Sequence, residues 1–302
     1  MGLDNWGHQR RLVRLASVAT LLGLMGCGIG DSKQEALGPK AGMPEISPPD
    51  FDRKDFSDRS TRIDNKWLPL IPGTQFTQQG EANRGEGITP HRIVITVTDV
   101  TKVINGVRTL VVWERDFNGD QLVEAEIAFF AQDDKGNVWL MGEYPEEYEL
   151  GKFDGAPSSW IAGLGGAHAG IIMPAEPRKG APTYLQGLAP DTDFQDLAKV
   201  HAVNQETCVP TGCYQNVIVF DEWDPAAQPQ DGHQLKHHAP GVGPVRVEAV
   251  GGVELETLVL GDVVKLDPAG MAEARRGVLE LDGRAYKVNA RYEATPPAEP
   301  MR

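Results

Sequence analysis

Three histidines crowd the stretch "DGHQLKHH" (231–238), and imidazole is the commonest transition-metal ligand in proteins. Read as a strand, the segment puts His233 and His237 on one side and His238 on the other. The first two then stand about 13 Å apart at ~3.3 Å per residue, so a shared ion needs a bend and a further ligand from His91, His168 or His201. A packed or solvated strand is the simpler reading, with His233, His237 and His238 kept as metal candidates. "GEYPEEYE" (142–149) gathers four glutamates. Paired carboxylates run acid–base chemistry only where their surroundings separate their pKa values, and this stretch reads as a solvated edge. "DFNGDQLVE" (116–124) alternates acids and amides as a calcium loop does. Its Gly119 stands fourth instead of sixth and Glu124 comes too early, so it reads as a hairpin loop. The chain has no nucleophile elbow, H-E-x-x-H helix or completed phosphate loop, and the sequence assigns it no reaction, catalytic residue or cofactor.

The cysteines say more. Cys208 and Cys213 flank a Val-Pro-Thr-Gly turn in "ETCVPTGCYQN" (206–216). A metal site wants more ligands nearby and a redox motif a tighter spacing, so the pair is expected to form a disulfide at a hairpin tip. Cys27 ends "LASVATLLGLMGC" (15–27), which follows Arg10, Arg11 and Arg14. That run is too short to span a bilayer and reads as the apolar core of an export signal. Leu24-Met25-Gly26-Cys27 resembles the lipobox of bacterial lipoproteins. The resemblance implies cleavage after residue 26, a diacylated Cys27 and a membrane anchor, since two acyl chains hold where one is marginal. Gly28, with no aspartate beside Cys27, favours the outer membrane in a Gram-negative cell.

These signals must be carried by the rest of the chain. The formal net charge of −14 argues against nucleic acid and against a second, electrostatic membrane contact. Residues 27–62 are rich in proline and charge and read as a disordered tether with a reach of about 30–35 Å. From Ile63, alternating or β-branched runs recur between turn signals, among them Asn105-Gly106 and Asn118-Gly119. The expected fold is mainly β, an antiparallel meander forming a curved sheet or incomplete barrel, with one or two short helices. The β-rich envelope domain is placed at 63–262, and a short helix plus a C-terminal hairpin and tail at 263–302. One helix is expected over 191–203, where Asp191 and Thr192 could cap. Another is expected over 267–277, with Asp267 as cap, Pro268 in the first turn and Gly277 as stop. "GVLEL" and "RAYKVNARY", flanking Asp282-Gly283, read as a hairpin.

"SSWIAGLGGAHAGIIMPAEPRKGAPTY" (158–184) is a long apolar, glycine-rich crossing. It reads as a loop packed over the open face of the sheet, or as the lid or wall of an apolar cavity built from Trp160, Ile171, Ile172 and Met173. With "IDNKWLPLIPGTQF" (63–76), "AQDDKGNVWLMGE" (131–143) and "HHAPGVGPVRVE" (237–248), it resembles a family of exported bacterial β-rich proteins, many of them lipoproteins, with no assigned biochemical role. The resemblance covers residues 63–260 and brings no catalytic residues with it. The chain departs from the pattern at His237-His238, at Cys208 and Cys213, and after residue 260. The function expected is a lipid-anchored, non-catalytic envelope module that binds an apolar small molecule, a lipid or a partner protein. A purely structural lipoprotein, a histidine- or calcium-based metal binder and an enzyme are the alternatives.

Overall fold

The structure, a computed structural model, describes residues 46–83, 87–226, 232–253 and 255–301. In chain order the strands begin with β1 (Thr74–Asn83), β2 (Ile88–Ile104), β3 (Val107–Asn118), β4 (Gln121–Gln132) and β5 (Val138–Glu149). Then come β6 (Lys152–Gly155), β7 (Trp160–Ile161), β8 (His168–Met173), β9 (Tyr184–Ala189) and β10 (Phe194–Val209). The last are β11 (Gly212–Trp223), β12 (His233–Ala239), β13 (Gly243–Val250), β14 (Leu255–Lys265) and β15 (Glu299–Pro300), with helix α1 (Pro268–Val288) before β15.

Neighbouring strands run β1-β14-β13-β12-β11-β10-β9-β8-β5-β4-β3-β2, and β2 pairs back onto β1 from Gln75↔Thr96 to Asn83↔Ile88. The antiparallel β character is as expected; the incomplete barrel is not, because this twelve-strand ring is closed. Both edges of the would-be open sheet are satisfied by β1, which takes β2 on one side and β14 on the other. Strand patterns reveal how many strands there are, whereas closure depends on a pairing between residues far apart in the chain. Outward positions of β1, such as Gln75, Thr77 and Gln79, are polar, and Val264 and Val259 of β14 stand opposite the first and the last of them. No described helix is long and apolar enough to cross a membrane.

Two expectations about local structure are corrected. Residues 194–209 are strand β10, not a helix. Asp191 and Thr192 belong to a short 3₁₀ turn, Pro190–Thr192, after which Asp193 adopts φ 52° and redirects the chain. Register shifts at Asp196/Leu197 against β9 and at Val200/Ala202 against β11 break the period of two, so Phe194, Leu197, Ala198 and His201 imitate a helical spacing. The second correction is at the C-terminal end, where α1 begins as expected, with Asp267 Oδ1 accepting from Gly270 N at 2.7 Å and Pro268 in its first turn. It then passes through Gly277 and Asp282-Gly283, so the expected stop and hairpin are both helix. Gly277 serves close approach, since a Cβ there would lie 2.7 Å from the Trp113 ring. Ala274, Val278, Leu281, Asp282 and Ala285 form the buried face. The Asn105-Gly106 turn is as expected, with φ of 47° and 78°, as a type I′ hairpin needs.

Apolar packing is divided by the barrel wall. Phe76, Ile95, Val112, Phe220 and Leu258 fill the interior, while Val111, Ile127, Phe129, Tyr144 and Tyr292 pack outside, with Val278 and Leu281 of α1. Contacts with the body begin inside the stretch read as a tether: Phe51 and Phe56 rest on Trp139 at ring distances of 5.6 and 5.8 Å. Residues 1–45, including Cys27, lie outside the described residues.

Candidate ligand cavity in the barrel

Residues 63–72 and the turn between β12 and β13 close one end of the barrel. Asn65 organises this plug: its Oδ1 accepts from Trp67 N at 2.8 Å and Leu68 N at 3.2 Å, and its Nδ2 donates to the carbonyls of Gly136 and Pro174. Gly241 N donates to Lys66 O at 2.8 Å and ties the turn to the plug. Beneath lies a cavity of about 100 Å³. Its walls are apolar residues that include Leu68, Phe76, Ile95, Val112, Phe130 and Ile172, together with Glu114, Glu126, Glu143, Glu222, Lys236 and His238.

The polar residues reach the cavity by strand alternation. Leu110, Val112, Glu114 and Asp116 share the inward face of β3, and Glu124, Glu126, Ala128 and Phe130 that of β4. A register shift in β5 between the partners of Ala128 and Phe130 turns Glu143 inward, where its Oε2 accepts from Trp160 Nε1 at 2.9 Å. Glu222 Oε2 pairs with Lys236 Nζ at 2.7 Å, and its Oε1 accepts from Gln186 Nε2 at 3.1 Å. Burial pulls Lys236 down, but Glu222, Asp196 and Glu256 more than offset it and hold the ammonium above its ordinary value. Burial, then the carboxylates of Glu124, Asp116 and Glu143, push the Glu114 carboxyl well above its ordinary range, against the pull of Lys236. Burial lowers His238 to about 4, despite Glu222 and its bond to Trp67. Its ring is therefore neutral at pH 7. Its Nδ1 must carry the proton, because it donates to the Trp67 carbonyl at 3.1 Å.

Deeper in the barrel a charged layer follows. His91, fully buried, lies between Asp116 at 3.2 Å and Glu256 at 2.8 Å, and Gln234 donates to Glu256 at 2.9 Å.

The expected site residues scatter about this cavity. Ile172 lines it and Trp160 touches it through Glu143, while Ile171 packs on the outer cluster and Met173 is buried in the inner one. Trp160 also stacks on Phe194 at 5.0 Å. Segment 158–184 is thus barrel wall in β8 and outer covering in β7. The strand histidines divide as the alternation predicts. His238 points in, whereas His233 stacks on Trp223 and bonds Asp221 at 2.7 Å, and His237 bonds Thr207 at 2.9 Å. His168 and His201 are exposed and far from the interior His91, so these residues are not brought together. Among the described residues, the one cluster of three metal-type ligands is Glu206 with Cys208 and Cys213, whose sulfurs are joined in the expected disulfide at 2.07 Å. The "solvated edge" is corrected: Glu143 and Glu146 are 2% and 0% exposed. Sequence reasoning missed Glu114, Glu126, Glu222 and Lys236; the available signal was a charged residue at the inward parity of an otherwise apolar strand. No protein-family model, curated protein or solved structure matches the chain.

Proposed function

We propose that the barrel is a binding module for a small, mainly apolar molecule, held at the cell envelope by a lipid on Cys27. The observation that carries the binding half is the cavity, apolar on most of its wall with a few charged and polar groups among the lining, the usual make-up of a small-molecule site. Its size narrows the earlier range of ligands. At about 100 Å³ it is smaller than the roughly 150 Å³ cavity that takes benzene, so a compact molecule fits and an acyl chain does not. The anchoring half rests on the arginines, apolar run and lipobox of residues 10–27, and on the resemblance to exported lipoproteins.

Thermal melts of the full chain with and without n-butanol test the binding half, with Ile172→Phe to fill the cavity. A dose-dependent rise in Tm that Ile172→Phe abolishes is expected, because a ligand that binds only the folded state stabilises it. No rise with n-butanol or with any charged four-carbon analogue of it, or a rise that survives Ile172→Phe, overturns the reading. Cys27→Ala tests the anchor: loss of acyl labelling and release from the membrane fraction are expected, and unchanged mass and location refute it.

A further inference from the structure

Among the residues lining the cavity, the hydrogen-bonding capacity left open is on the acceptor side; beyond the lining, the Tyr184 hydroxyl near Glu222 is also buried without a partner. Glu222 and Lys236 satisfy each other, and Glu143 holds Trp160 Nε1. Glu114 lines the same space and, among the described residues, makes no hydrogen bond or ion pair. His238 spends its only N–H on Trp67 O, which leaves the Nε2 lone pair as an acceptor. On the neighbouring strands, Gln78 Oε1 and Gln186 Oε1 are buried acceptors without partners, although each amide nitrogen is engaged, by Pro244 O and by Glu222. Charge leans the same way, with four carboxyl side chains against one ammonium in the lining.

Unused acceptors in a carboxylate-rich, apolar-walled space are complemented by a ligand that brings donors and positive charge. An ammonium has three N–H donors and no acceptor. A neutral alcohol would answer only part of this set, and a carboxylate ligand would add to the repulsion. We infer that the cavity takes a compact organic cation, a short alkylamine whose apolar body lies among Phe76, Ile95, Val112 and Ile172 and whose ammonium approaches Glu114. This rests on the reading of the barrel as a small-molecule binder and specifies the class of its ligand. Burial holds the proton on empty Glu114, so an arriving ammonium takes over the role of that proton, which leaves to solvent.

Titration calorimetry on the full chain with n-butylammonium, n-butanol and n-butyrate separates the possibilities. Butylammonium is expected to bind most tightly, at best in about the micromolar range for so small a ligand. Butanol should bind at least about tenfold more weakly and butyrate not at all. The butylammonium heat should differ between phosphate and Tris at one pH, as proton release requires. Glu114→Gln, a same-shape change whose melting curve reports its folding, should weaken butylammonium at least about tenfold and erase the buffer dependence. Ile172→Phe should abolish binding of both probes. Equal binding of butanol and butylammonium, indifferent to Glu114→Gln, overturns the cation and leaves the small-molecule reading standing. Binding of neither overturns both. Stoichiometric zinc or calcium uptake that Glu114→Gln removes overturns the organic cation in favour of a metal ion.

Discussion

Two ionisable side chains sit on opposite sides of the barrel wall, Lys102 fully buried and Glu114 half-buried against the cavity, and the protein treats them differently. Lys102, on the outer face of β2, is fully buried under α1 and has every proton placed: Asp282 Oδ1 accepts at 2.8 Å, Tyr286 Oη at 2.9 Å and Pro296 O at 2.7 Å. Asp282 uses its other oxygen on Ala298 N, and the rings of Tyr286 and Tyr292 face the ammonium. Glu114, inside, has no such set. A closed set of bonds pins α1 and the C-terminal tail to the sheet, whereas an open one leaves capacity for something that arrives later. Completeness of hydrogen bonding thus separates a structural ionisable group from a candidate functional one.

Breaking the outer set should have the largest effect. Lys102→Met strands Asp282 in the interior and is expected to lower unfolding free energy by about 3–5 kcal/mol, as read by urea denaturation. A loss under 1 kcal/mol would remove the contrast.

Next is the acid limb of stability, which belongs to the cavity. His238 falls from 6.5 to about 4 on folding, so its neutral form contributes fully above pH 6.5, and that contribution is lost as pH falls through 4. The shift corresponds to about 3 kcal/mol, and His238→Gln should flatten urea midpoints between pH 6.5 and 4 by up to that amount.

Arg284→Met probes the outer face again. Arg284 forks onto buried Glu146 at 2.8 and 2.7 Å, but Tyr144 and Tyr148 also donate to that carboxylate, at 2.9 and 2.6 Å. With two donors remaining, a loss of about 2 kcal/mol is expected in the same assay, less than at Lys102.

The smallest effect sharpens the comparison most. Glu114 is favoured in its neutral form, so its contribution is full below the unfolded pKa of about 4.3 and is lost as pH rises. Glu114→Gln exchanges one neutral group for another at pH 4 and should change stability there by less than about 1 kcal/mol. Between pH 4 and 8 the difference should move steadily in favour of the variant; a move the other way would mean that Glu114 has a partner after all.

Much of this was legible in the residues. The inward and outward histidines of β12, the disulfide, the type I′ turn and the start of α1 each rest on local chemistry, which the sequence displays directly. What misled was context that distant residues impose. Runs such as "LVVW" and "IAFFA" lack clean alternation because α1 covers the outer face of β3 and β4 while the cavity lies on the other. The false helix at 191–203 came from two bulges, and the false hairpin at 282–283 from reading Asp-Gly as a turn when Asp282 is the partner of Lys102. The cavity was hidden for the same reason: its carboxyls come from β3, β4, β5 and β11, and no window of sequence contains them together.

The pairing of β1 with β14 bears on how the chain reaches this state. Thr74 faces Lys265 and Asn83 faces Leu255, so the first strand of the ring waits for nearly the whole chain before its second neighbour exists. Contacts at such sequence separation are slow to form, and the ring is expected to assemble late and cooperatively. Until then β1 and β14 are bare edges, able to pair with any other extended chain. A nascent or truncated chain that ends before β14 therefore exposes a sticky seam, and β14, the last strand of the ring, serves as the clasp that hides it.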